Sequence, residues 1–296
     1  MANEILEKAR EFCEQEYEDS MLYAYIASKE KDENRRKILE AIAKDEEGHY
    51  KFWKKLYGKD CKTESINSKM LFFLFLRKLF GITFTLKYLE NKEKKAIESY
   101  KKMLSELKGE DAQVLMKIIQ DEEIHEKTEI QSLDEKVVRY MSFIILGLAD
   151  AIVEINGVHA GFLGVTESTI VTGIAGMVVG VSAAISMASA AYLQAKHEAG
   201  KSPRTSALMT GLAYISAVSV LALPYFLIRK MLTAFLVSIS IAILMIASFT
   251  YYGSTLQEKD FKREFIESTL LMLGTAFVTY FFGDLLGTAF GIRGIL

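Results

Sequence analysis

Residues 46–49 read Glu-Glu-Gly-His, and residues 122–125 read Glu-Glu-Ile-His. Each is a Glu-x-x-His, and on a helix residues three apart share a face. Glu46 with His49, and Glu122 with His125, can therefore each hold one ion. A single pair of this kind arises often by chance in charged helices, but here it belongs to a longer repeat. Glu16 lies seven residues before Tyr23, and Glu93 lies seven before Tyr100. Glu16 precedes Glu46 by 30 positions, and Glu93 precedes Glu122 by 29. A helix with a Glu followed by a helix with Glu-x-x-His thus occurs twice. Two of only four histidines fall at matching positions, which argues against a solvated, salt-bridged bundle.

One Glu from each of two helices and a Glu-x-x-His from each of two others is the ligand set of a di-metal carboxylate site in a four-helix bundle. Carboxylate and imidazole suit iron or manganese. Glu46 and Glu122 would bridge the ions, Glu16, Glu93, His49 and His125 would complete the set, and Tyr23 and Tyr100 would orient carboxylates. On these residues the first 135 positions resemble the rubrerythrin and ferritin-like family. The resemblance implies a di-iron (Fe2+/Fe3+) centre and oxidation of iron(II) by oxygen or peroxide. Rubrerythrins use an additional carboxylate on the third helix, for which Glu90 is the nearest candidate. The chain has no rubredoxin-like CxxC module to supply electrons.

Outward from these motifs the chain reads as almost all helix: it has two prolines, Pro203 and Pro224, and no strand-like alternation. Four helical stretches are expected near 3–29, 33–57, 68–107 and 110–135, with Gly58 and Gly109 at helix ends. The third opens with the apolar run 70–86, interrupted by Arg77 and Lys78, and reads as buried or lying at a membrane surface. Trp53 reads as a core residue. Cys13 and Cys61, the only cysteines, form neither a CxxC pair nor a disulfide framework by spacing, and are expected to be reduced thiols of a cytosolic domain. Cys13, one turn before Glu16, reads as packed. The N-terminal stretch is charged and amphipathic, without a signal-peptide apolar core.

The composition divides the chain in two. Residues 137–296 hold only 10 of the 36 Lys and Arg and 9 of the 38 Asp and Glu, leaving 26 and 29 for residues 1–136. The expected domains are therefore 1–136, a four-helix bundle, and 137–296, a membrane domain. Net charge near zero gives no reason to expect a nucleic-acid partner. Five apolar stretches, near 138–164, 169–195, 205–228, 231–252 and 264–290, reach the roughly 20 residues a helix needs to cross hydrocarbon. Lys196, Lys201 and Arg204 in one loop and Lys259, Lys262 and Arg263 in another place those loops and the first domain in the cytoplasm, and the C-terminus outside. Arg229 and Lys230 oppose this bias.

The first span contains Asp150, Glu154, Asn156 and His159. Ionisable groups in a span are costly and usually face a pathway. Asp150 and Glu154, four apart, share a face, and paired carboxylates can strip water from a divalent ion and take up protons. The blander alternative is a packed network between spans. The second span offers Ser186 and Met187, whose thioether favours iron(II) over magnesium or calcium. His197 and Glu198 read as a solvated loop, and Asp284 as a cap.

These residues resemble the vacuolar iron transporter family over roughly 137–290. LGLADAIVE is similar to that family's LGANDGLVS, with Asp150 on its Asp. AISMASAAY is similar to AMSMAAGEY, with Met187 on its Met. Pro224 and the Tyr280–Gly283 pair also match. The resemblance implies five spans, a homodimer with the pathway between subunits, and movement of iron(II) out of the cytosol against protons. The chain departs from the pattern at Ala149, where the family has Asn, at Ala191, where it has Glu, and at Glu154, where it has Ser. It also lacks the long Glu-rich segment after the second span, which the N-terminal bundle would replace as metal collector.

The expectation is thus an all-α integral membrane protein of a prokaryotic plasma membrane, an iron(II) transporter with a cytoplasmic di-iron domain. One alternative is a membrane-anchored ferroxidase or peroxide-scavenging enzyme, against which Asp150 and Glu154 argue, since an anchor has no use for them. The other is a manganese(II) transporter, because the ligand types overlap.

Overall fold

The structure, a computed structural model, describes residues 2–61, 66–132 and 136–292. The chain folds as two compact units, Met1–Asp134 and Glu135–Leu296. Among the described residues every regular element is helical, as the sequence predicts.

The first unit consists of α1 (Ala2–Ser28), α2 (Glu33–Tyr57), α3 (Ile66–Leu104) and α4 (Glu110–Ser132). Asp32 caps α2 by accepting from the backbone N–H of Arg35 at 2.9 Å. Gly58 ends it in the left-handed region, at φ 78°, and donates to the Lys54 carbonyl at 2.9 Å. The core gathers Phe12, Trp53, Tyr100, Met103, Leu115 and Ile118, with Trp53 fully buried as expected.

The apolar run 70–86 proves two-faced. Phe73, Leu76, Ile82, Phe84 and Leu86 are buried, whereas Leu71, Phe72, Phe75 and Leu79 are exposed. Gly81 breaks α3 with φ 86° and ψ 172°, a conformation open in practice only to glycine. Arg77, which interrupts the run in sequence, ties it to the end of α1. Its guanidinium donates to the Ile26 carbonyl at 3.1 Å, the Lys29 carbonyl at 3.0 Å and Glu30 at 3.3 Å.

The expectation of reduced thiols is corrected. Cys13 and Cys61 form a disulfide, with Cα atoms 6.0 Å apart. The chain leaving α2 returns past α1 and brings them within bonding reach. A separation of 48 residues carries no local motif to announce it.

The second unit opens with the short α5 (Lys136–Arg139). Five helices follow: α6 (Met141–Val165), α7 (Thr169–Ala195), α8 (Pro203–Leu227), α9 (Met231–Gln257) and α10 (Phe261–Ala289). Each is long and apolar enough to cross a membrane, so the chain is an integral membrane protein. Their outer surfaces carry exposed Ile, Leu, Val and Phe side chains, as a lipid-facing helix requires. α6 lies centrally, packed against α7, α8, α9 and α10. It meets α10 backbone to backbone: a Cβ on Gly283 would overlap the Gly161 carbonyl.

Candidate metal centre and membrane pathway

In the first unit each of the four helices contributes to one buried polar cluster. Glu16, Glu46, His49 and Glu122 each present a ligand atom, all within 4.8 Å of one another. His49 Nδ1 lies 3.4 Å from Glu46 Oε2 and 3.2 Å from Glu122 Oε1. His125 Nδ1 lies 3.2 Å from Glu46 Oε1 and 3.8 Å from Glu122 Oε2. Glu46 and Glu122 each turn one oxygen to each histidine. Two ions held there could share Glu46 and Glu122. Glu16 Oε2 approaches His49 Nδ1 at 3.7 Å.

The buried atoms Glu46 Oε1, Glu122 Oε2, His49 Nδ1 and His125 Nδ1 have no aligned hydrogen-bond partner. Buried polar groups are ordinarily satisfied, so donors converging on shared points fit a pair of metal ions. Electrostatics agree. Burial, with the charges of Glu122 and Glu16, pushes Glu46 well above the usual carboxylate range. Burial would raise Glu16 as well, but His49, Glu46 and Tyr100 together outweigh it and hold Glu16 low. Burial disfavours charge on His125, yet Glu122 and Glu46 drive its pKa up to about 10, and His49 is raised by the same kind of neighbours.

Each of the two tyrosines hydrogen-bonds one glutamate. Tyr23 donates to Glu93 at 2.8 Å, and Tyr100 donates to Glu16. Each thereby reaches the Glu of the other half of the repeat. Glu90 is buried and pairs with Lys87 at 2.8 Å and Lys94 at 3.5 Å.

Two residues escaped the sequence reading. His125 Nε2 lies 3.2 Å from Asp45 Oδ2, and His49 Nε2 lies 3.7 Å from Asp121 Oδ2. The Asp45 contact is of the kind that orients a ligating ring and raises its basicity, whereas His49 Nε2 only lies near Asp121 and makes no hydrogen bond to it. The signal was present, since an Asp stands immediately before the Glu in both halves. A third carboxylate, Asp19, is buried one turn beyond Glu16, with its Oδ1 lacking a hydrogen bond. Burial, against the opposing Lys92, raises its pKa to about 7.

In the membrane unit, Asp150 and Glu154 are half-buried on α6. Glu154 accepts a hydrogen bond from Tyr214 of α8 and lines a groove of ≈ 440 Å³ with Val158, Gly161, Thr275, Thr279 and Gly283. Asn156 and His159 turn inward and are fully buried. Asn156 donates to the Ile152 carbonyl at 2.8 Å, and His159 stacks on Tyr225 with ring centroids 4.2 Å apart. Met187 is half-buried against the core that Ile155 and Val218 share, while Ser186 is exposed.

Residues 4–129 match the family model described as Rubrerythrin, and residues 194–284 match that of the VIT family. The first unit is thus similar to the rubrerythrin family and the second, over 194–284, to the VIT family, a likeness that suggests a metal-binding domain joined to a metal transporter. The matched stretch of the membrane unit begins after Asp150, Glu154 and Met187. No curated protein and no solved structure matches the chain significantly.

Proposed function

We propose that the membrane unit exports iron(II) from the cytosol in exchange for protons, and that the first unit collects or senses iron for it. The carrying observation is the pair of half-buried carboxylates, Asp150 and Glu154, on the central span. Ionised groups so placed are too costly for a mere anchor. Deprotonated, the pair attracts a divalent ion; protonated, it releases the ion. Glu154 opens onto the α6–α10 groove, which supports a homodimer with the pathway between subunits. Met187 supplies a soft donor nearby in sequence, and Ser186, Asn156 and His159 are the further polar groups of the two spans. The excess of Lys and Arg in loops 196–204 and 253–264 supports a cytoplasmic first unit and an outward C-terminus in a prokaryotic plasma membrane.

In the first unit we assign Glu16, Glu46, His49, Glu93, Glu122 and His125 as ligands, with Tyr23 and Tyr100 as positioning residues. Two bound iron ions would supply one-electron redox chemistry there. The protein's own part is to keep the carboxylates oriented, to exclude bulk water, and to release protons from His49 and His125 as metal arrives. The enzymatic reading, ferroxidase or peroxide scavenging, draws support from the buried bridging geometry, and manganese(II) as cargo from the shared ligand chemistry.

The test is metal flux into sealed proteoliposomes under an imposed proton gradient, with iron(II) and manganese(II) compared. Gradient-dependent iron flux that disappears in Asp150→Asn is expected. The Glu46→Ala/Glu122→Ala double variant then shows whether the first unit feeds or gates the membrane unit. Absence of flux with either metal, beside rapid iron oxidation in detergent, would overturn the transporter reading in favour of the enzyme.

A further inference from the structure

The Cys13–Cys61 disulfide has no part in the chemistry above, yet it adjoins the metal centre. Cys13 stands three residues before Glu16 on α1, so the two share a face. From the centre outward, Glu16 accepts from Tyr100. The Tyr100 ring lies 5.1 Å from Trp53 and 4.6 Å from Phe12, and Phe12 lies 4.9 Å from Trp53. Cys13, Cys61, Trp53 and Tyr100 belong to one buried core. Tyr and Trp are the side chains that most readily pass single electrons. In a reducing cytosol, disulfides are usually transient and redox-active rather than structural.

We propose that Cys13 and Cys61 are a reversible two-electron couple that reduces the carboxylate–histidine metal centre through Trp53 and Tyr100, with a peroxide as terminal oxidant. The proposal rests on the reading of that cluster as a di-iron site. As the S–S bond forms, the two thiols lose two electrons and two protons. The electrons pass singly through Trp53 and Tyr100 and return two oxidised metal ions to the divalent state. Iron held by the carboxylates and histidines of the cluster would supply the one-electron steps by which hydrogen peroxide breaks its O–O bond and takes up two protons to leave two waters. The sum is dithiol plus hydrogen peroxide giving disulfide plus two waters. A small-molecule thiol reopens the disulfide by exchange, most directly at Cys61, which is 5 % exposed where Cys13 is fully buried. The couple supplies electrons that would otherwise require a separate CxxC module.

The full-length chain in detergent is reduced, loaded anaerobically with iron(II), given one equivalent of hydrogen peroxide and alkylated at intervals. Bound iron and alkylated thiols are counted separately, by metal analysis and by mass. The thiol count is expected to fall from two to none in step with peroxide loss. In Trp53→Phe that fall slows while iron content stays the same. A Cys13→Ser/Cys61→Ser variant consumes only the electrons of its bound iron and stops. Iron bound with both thiols still alkylatable overturns the couple alone. Equally fast thiol loss in metal-free chain overturns the relay, because peroxide then acts directly. Failure to bind iron overturns the di-iron reading and this proposal with it.

Discussion

His125 Nε2 and Asp45 Oδ2 lie 3.2 Å apart, across the two halves of the repeat. The same relation, longer at 3.7 Å, joins His49 to Asp121. In both cases the aspartate comes from the other half of the repeat, but only Asp45 is close enough to hydrogen-bond its histidine. Removing such an outer partner usually weakens metal affinity about 10- to 100-fold. Asp45→Asn is expected to weaken iron(II) or manganese(II) binding by that order with the helix content retained. Titration calorimetry on the full chain checks it, and unchanged affinity would show that the aspartate does not steady the ring.

Without metal, the histidines are held charged by their carboxylates. The folded-state pKa of His125, about 10, exceeds the reference value of about 6.5. Its stabilisation is present in full below that reference value and is lost as pH rises through about 10. His49 shifts in the same direction. The metal-free first unit should thus melt at progressively lower temperature over this range, as followed through Trp53, the only tryptophan. Metal affinity should strengthen over the same interval, because binding must displace those protons. Affinity that stays flat with pH would mean that the histidines do not ligate.

The backbone meeting of α6 and α10 makes a sharp packing prediction. A Cβ on Gly283 would run into the Gly161 carbonyl, whereas one on Gly274 meets nothing within 4 Å. Gly283→Ala should cost about 1–3 kcal/mol, the usual range for overpacking, and Gly274→Ala close to nothing. Thermal unfolding in detergent separates them, and equal midpoints would sink the argument.

Glu154→Gln should abolish gradient-dependent flux. The amide can neither take up a proton nor balance a divalent cation beside Asp150. Flux equal to wild type would remove Glu154 from the pathway.

The helices and the clustering of Glu16, Glu46, His49, Glu122 and His125 were legible because they depend on local periodicity: three-residue spacing on a helix, an apolar length that spans hydrocarbon, a repeat that doubles the signal. The Asp45–His125 contact was not read because it crosses between helices, although the Asp preceding each Glu hinted at it. The Cys13–Cys61 bond depends on where the chain returns after α2, and no local spacing encodes that. The break at Gly81 was invisible against so long an apolar run, since one residue's dihedral angle decides it.

The crossed aspartates also bear on how the site came to be. A single half, one Glu helix and one Asp-Glu-x-x-His helix, leaves its own imidazole unbacked and can complete itself only against a second copy. Two such hairpins associating face to face would satisfy every cross-contact by symmetry. The fused chain can then be seen as a dimer whose subunits were joined end to end. Once joined, the halves lose the freedom to diverge independently, for a change at Asp45 is felt at His125 in the opposite hairpin.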